Sequence, residues 1–257
     1  MADHGGHGAA HAHEHHWEWS YYPLILVLGI FLSVPVAFGF FFQYHNATLG
    51  IASLGLGTPL LLWGIAGWTS EGIANRDKEP GWALTGLPFF IVSEILIFLS
   101  LFASYWMLRL TADVWPPAGT PHIGVVLPLI MTVILVSSSI TYHFGEMALE
   151  EGNKGSFNMW LMVTMALGLV FLGCTIFEYN HLLHEGFGFG ANAKSTAFYS
   201  ITGFHASHVL VGLGAFVCVL VPALSGKISH SLVKGAGLYW HFVDIVWFFV
   251  VSQIYLW

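Results

Sequence analysis

The residues of this chain that could do acid–base or metal chemistry stand inside long apolar runs. His241 and Asp244 lie within Tyr-Trp-His-Phe-Val-Asp-Ile-Val-Trp-Phe-Phe, residues 239–249, a stretch able to cross a bilayer. An ionisable group at such a place costs about 2.5–3.5 kcal/mol to insert, so its presence reports on function or on assembly. The i, i+3 spacing puts the imidazole and the carboxyl on one helix face, which predicts that the two pair. Glu94 sits in Phe-Phe-Ile-Val-Ser-Glu-Ile-Leu-Ile-Phe, with no cationic partner nearby on its own helix. It is expected about 10 Å below one interface, with Asp244 at a similar depth. Two readings stand side by side for these acids: a part in proton transfer, or hydrogen bonds that fix the rotation of neighbouring helices.

Histidines supply the other candidates. His205 and His208, in Phe-His-Ala-Ser-His-Val, again share one face at i, i+3. They could give two ligands to a metal, with His143 or Glu178 completing the set from other helices, or could hydrogen-bond between helices. Opposite axial ligation of one haem is excluded by that spacing. His181 and His184 fall at the outer end of the fifth apolar run. Six of the 15 histidines crowd into residues 1–16 among Gly and Ala. A tract of that composition has no apolar face. Residues 1–20 are therefore expected to be a disordered tail, with weak metal binding or incidental chelation as its alternative roles.

The elements that must position these groups follow from composition. Hydrophobic residues make up 56% of the 257 and charged residues only 8%, where a soluble domain carries about 25% charged. Mean hydropathy is +0.72. Apolar runs cover roughly residues 22–42, 51–68, 87–110, 124–142, 159–177, 197–224 and 238–256, each near the ~20 residues of a spanning helix. No strand-like alternation occurs. The chain is thus expected to be all-α and polytopic, with seven transmembrane helices over residues 21–257. The second helix is the weakest in isolation, because Gly55, Gly57, Pro59, Gly64 and Gly67 interrupt it, though such glycines let a backbone or a lipid approach closely. Gly168, Gly173, Gly212 and Gly214 are expected to do the same elsewhere. Arg76, Lys78, Lys154, Lys227 and Lys234 fall on one side and Arg109 and Lys194 on the other, which predicts a cytoplasmic N-terminus and an external C-terminus. Cys174 and Cys218 read as small buried hydrophobes, and a net charge of −7 excludes a nucleic-acid partner.

From the residues alone three functions compete: a cofactor-free subunit of a larger complex, a His-liganded membrane metalloenzyme, and a proton-coupled carrier using Glu94 and Asp244. The last lacks any visible inverted repeat.

A series of motifs resembles subunit III of the haem–copper cytochrome c oxidases, in that family's order. Phe-Phe-Ile-Val-Ser-Glu (89–94) resembles the helix bearing its buried glutamate. Trp115-Pro116-Pro117 resembles the loop that follows, and Ser137-Ser138 through Glu146 and Ala148 the fourth helix of bacterial members. Phe177-Glu178-Tyr179, then Phe204-His205 with His208-Val209 and Gly212, then Tyr239 through Trp247 complete the series. The resemblance implies helices 1–2 splayed from a bundle of helices 3–7, in a bacterial inner membrane. It implies a subunit with no cofactor of its own, the haem and copper residing in partner subunits I and II, with cytochrome c served through the complex and phospholipid bound. It assigns Glu94, His241 and Asp244 to proton and oxygen access, and His143, Glu146, Glu178, His205 and His208 to structural polar roles. Trp68, Glu71, Arg76 and Lys227 become candidate lipid headgroup contacts. Here the second helix ends Gly-Trp-Thr-Ser-Glu (67–71) where the family has an arginine.

Overall fold

The computed structural model describes residues 19–74 and 82–257, with side chains of the second stretch from residue 86 onward; the histidine tail, Arg76 and Lys78 lie outside it. Seven helices there are long and apolar enough to cross a membrane: α1 (Tyr22–Gln43), α2 (Ala47–Ala74), α3 (Trp82–Thr111), α4 (Val126–Glu150), α5 (Lys154–His184), α6 (Ala193–Leu224) and α7 (His230–Leu256). The expected number is met, but most helices run past the apolar windows. α4 continues through Glu146 to Glu150, α5 from Lys154 to His184, and α7 begins at His230 rather than near Leu238. Helical hydrogen bonds satisfy the backbone from within, so a helix has no reason to stop where its side chains turn polar near the interface.

The chain divides into two compact units, residues 1–72 and 73–257. In the first, α1 and α2 are joined through residues 44–46, and Asn46 Oδ1 accepts from Leu49 N–H (3.1 Å) in the first turn of α2. α1 widens into π-helical turns at Leu32–Val36, around Pro35, and at Gly39–Gln43. Proline has no N–H to donate, and a wider turn re-forms the ladder around it. The glycines that weaken α2 in isolation hold it here. Gly50, Gly57 and Gly64 are buried along one face. A methyl at Gly57 would lie 2.8 Å from Leu32 Cβ, and one at Gly64 2.8 Å from the Leu26 backbone.

In the second unit, α4 and α5 form the closest pair. They are joined by residues 151–153, where Gly152 takes φ +80° and Asn153 caps α5 by accepting from Ser156 N–H. Their buried positions advance in alternating steps of three and four: Met131, Leu135, Ser138, Tyr142, Gly145 and Leu149 on α4, and Phe157, Leu161, Thr164, Gly168, Phe171, Thr175, Glu178 and Leu182 on α5. That is the spacing of a coiled-coil seam. α7 enters this core through Trp240, which is fully buried. Its indole fills a slot left by Gly168 of α5 and Gly212 of α6, where a methyl would come within 2.9 and 2.7 Å of the ring. Gly173 and Gly214, expected to act likewise, face open space. α3 lies outermost, with Ile91, Glu94, Phe98, Phe102 and Tyr105 turned inward and most of its other side chains exposed.

Candidate functional site

Glu94 is on the inner stripe of α3, and its partner comes from α6. Glu94 Oε2 lies 3.0 Å from His208 Nε2, with side chains 13% and 10% exposed. His208 Nδ1 is 2.8 Å from the Phe204 carbonyl. A carbonyl only accepts, so Nδ1 carries a hydrogen, and the Nε2–Oε2 contact holds one further proton between acid and base. The rings of Phe98 (5.1 Å), Phe204 (4.6 Å) and Tyr239 (6.4 Å, stacked) surround the imidazole. Tyr239 also donates its hydroxyl to the His208 carbonyl (3.3 Å). The partner of the glutamate is thus a histidine far away in sequence, on another helix.

His205 has a different fate. It is fully buried against Trp247 (5.0 Å) and Phe171 (5.7 Å), and neither ring nitrogen has a hydrogen-bond partner. Sharing a face with His208 therefore does not make the two act together. Among the described residues no three His, Cys, Asp or Glu side chains converge as metal ligands. His143 is exposed on α4, and Glu178 accepts a hydrogen bond from the Tyr255 hydroxyl (2.7 Å) at the far end of α7.

The expected pairing of His241 with Asp244 is corrected. The two are not bonded to each other; Ser139 of α4 stands between them, 3.1 Å from His241 Nδ1 and donating to Asp244 Oδ2. The i, i+3 geometry holds, but both side chains turn toward the adjacent helix, where a hydroxyl serves both.

The cytochrome c oxidase subunit III family model matches residues 12–257. The chain is 38% identical to cytochrome c oxidase subunit 3 of Synechocystis sp. over 186 residues, 71% of this chain and 78% of that protein. It is 35% identical to that of Thermostichus vulcanus over 192 residues (73% and 94%) and 36% identical to that of Corynebacterium diphtheriae over 202 residues (72% and 98%). This chain belongs to the cytochrome c oxidase subunit III family. As a subunit III it is an accessory, multi-pass membrane subunit of a terminal oxidase, working in a complex with other oxidase subunits that carry the cofactors. The stand-alone metalloenzyme and carrier alternatives are thereby set aside.

The remaining candidates of this subunit III are dispersed. His143 and Glu146 line an open cleft with Lys234 and His241. Trp68 is half exposed on α2, and Glu71, one helical turn on, accepts from the Ser20 hydroxyl (2.6 Å); both belong to the first unit. Lys227 is exposed between α6 and α7 in the second. Three polar residues tied to these groups escaped sequence reading: Ser139, Tyr239 and Tyr255. Ser139 is one of three consecutive serines, which a helix points in three directions, and nothing local says which one meets α7.

Proposed function

We propose that this subunit III sits beside the haem–copper catalytic subunit I, with subunit II and the cytochrome c donor completing the complex in a bacterial inner membrane. It conditions how protons and oxygen reach the catalytic subunit and holds no haem or copper itself. The observation that carries this reading is the Glu94–His208 pair: an acid and a base sharing one exchangeable proton, partly exposed within an apolar span. A group bonded only to fix a helix is expected to be fully enclosed, whereas one that trades protons needs a path to its partner. Asp244 and His241 form a second acid–base set on α7. Oxygen needs no ligand residues, since it partitions into the apolar helix faces. Trp68 and Glu71 in the first unit, and Lys227 in the second, are proposed as separate contacts for phospholipid headgroups. The N-terminus is placed in the cytoplasm by the bias of basic residues.

The test is Glu94→Gln in the assembled oxidase. The amide keeps the shape and a hydrogen bond to His208 but cannot take up a proton. Expected are a lower proton-pumping yield per electron and a shorter active lifetime during turnover. Unchanged turnover, pumping and lifetime would rule the role out.

A further inference from the structure

Ser139 joins two α7 residues into a chain with a direction. A hydroxyl carries one hydrogen. That hydrogen is directed at Asp244 Oδ2, so the 3.1 Å contact with His241 Nδ1 is made by an imidazole N–H. The series reads imidazole N–H to hydroxyl, then hydroxyl O–H to carboxylate. Its inner end is Asp244, only 6% exposed, whose Oδ1 is buried with no partner. Its outer end is His241, whose ring lines an open cleft of about 350 Å³ together with His143, Glu146, Glu150 and Lys234. Gly237 keeps that cleft tight, since a methyl there would sit 2.5 Å from the Tyr142 ring and 3.1 Å from Glu146 Oε1.

We infer that this arrangement is a proton relay, with Asp244 as the terminal proton-binding site and the cleft as its mouth. A proton arriving from the cleft binds His241 Nε2. The Nδ1 proton passes to Ser139 Oγ, and the Ser139 proton passes to Asp244 Oδ2. One proton has entered, Asp244 is neutral, His241 is again neutral in its other tautomer, and Ser139 has turned its hydroxyl. The return of the proton by the same path resets the chain. The mouth lies where α4 ends and α7 begins, on the side that the basic-residue bias gives to the cytoplasm.

The ionisable groups around the relay are few. α4 contributes His143, Glu146 and Glu150, and α7 itself contributes Lys234; all line the mouth. α3 and α6, also packed on α7, carry Glu94, His205 and His208. Glu94 and His208 bond each other, and His205 bonds nothing. Glu178 of α5 is held by Tyr255. Asp244 is thus reached through Ser139 alone, and the relay is separate from the Glu94–His208 pair. The inference rests on the reading that the buried acids serve proton uptake, and it narrows that reading to a route.

The test is infrared difference spectroscopy on the intact oxidase complex between acidic and alkaline pH, followed by transfer into D2O. A protonated-carboxyl band that disappears in Asp244→Asn assigns the site. Its deuteration is expected to slow at least about tenfold in Ser139→Ala, the kinetic worth of one lost hydrogen bond, and to recover in Ser139→Thr, which keeps the hydroxyl. His241→Phe interrupts the outer end and reads the same step should Ser139→Ala fail to assemble. A missing band, or deuteration unaffected by these changes, overturns the relay. A band that obeys Ser139 while Asp244→Asn leaves pumping unchanged upholds the relay and removes only its role in proton uptake.

Discussion

In the two-helix unit, α1 and α2 meet backbone to backbone. Gly29, Gly57 and Gly64 leave no room for a Cβ, and the cross-helix side-chain bonds are Ser53 to the Leu32 carbonyl and Ser20 to Glu71. In the five-helix unit the contacts run through side chains. Trp240 donates to Ser138, Trp247 to Thr132, Trp106 to Gln253 and Tyr142 to the Val233 carbonyl, while Tyr179 meets Thr202. Both means suit a bilayer, where burial from water contributes nothing and helices associate by close packing or by hydrogen bonds. They differ in what they permit. A glycine contact carries no chemistry. A lattice of polar ties brings acids, hydroxyls and imidazoles within reach of one another, and among the described residues the Glu94–His208 pair and the His241–Ser139–Asp244 series both lie in that second unit.

Trp240 is where the comparison is most open to attack, because it depends on both means at once: a slot made by two glycines and a bond from its indole N–H to Ser138 (3.0 Å). Trp240→Ala empties a fully buried site touching α4, α5 and α6, and is expected to destabilise the subunit by about 3–5 kcal/mol. Heat-induced dissociation of the chain from the purified complex reads the loss. Trp240→Phe keeps much of the ring and loses the N–H, so it should recover most of that. If Phe is as damaging as Ala, the polar tie matters more than the slot.

The hairpin offers a paired test. Gly57→Leu drives a side chain into Leu32 and Ser33 of α1, an overpacking expected to cost about 1–3 kcal/mol. Gly55→Leu, on the open side of the same helix, should cost nothing measurable, since nothing lies within 4 Å of its Cβ position. The same dissociation assay compares them. Equal sensitivity at both positions would mean that helix propensity, rather than contact with α1, decides the fate of α2.

The seven spans were legible in the sequence because length and apolarity alone set them. Their ends were not: an apolar window closes where polar side chains gather, whereas a helix continues through Glu146, Lys154 and Glu178 as long as its backbone bonds are met from within. The burial of Glu178 did have a signal. It falls on the three–four stripe from Phe157 to Leu182, but so many α5 residues are apolar that the stripe has little contrast. Glu94 stood out by its type, and its partner did not, because no local rule links position 94 to position 208. His241 and Asp244 show the limit most clearly. Their spacing fixed the shared face, while the hydroxyl that connects them sits on another helix.

The smallest effect is expected at the one place where the hairpin borrows the bundle's means. Ser53 donates to the Leu32 carbonyl across the two helices (2.6 Å). That carbonyl also accepts from the Ala37 N–H within α1, so removing the hydroxyl leaves it partnered. Ser53→Ala also leaves behind a residue small enough for the glycine-lined contact. A helix-to-helix hydrogen bond in a membrane averages about 0.6 kcal/mol, and with the acceptor still satisfied the loss should fall at or below that value. Ser53→Ala should therefore be nearly silent in the dissociation assay. A loss comparable to that of Gly57→Leu would mean that the serine bond, and not glycine proximity, holds α1 against α2.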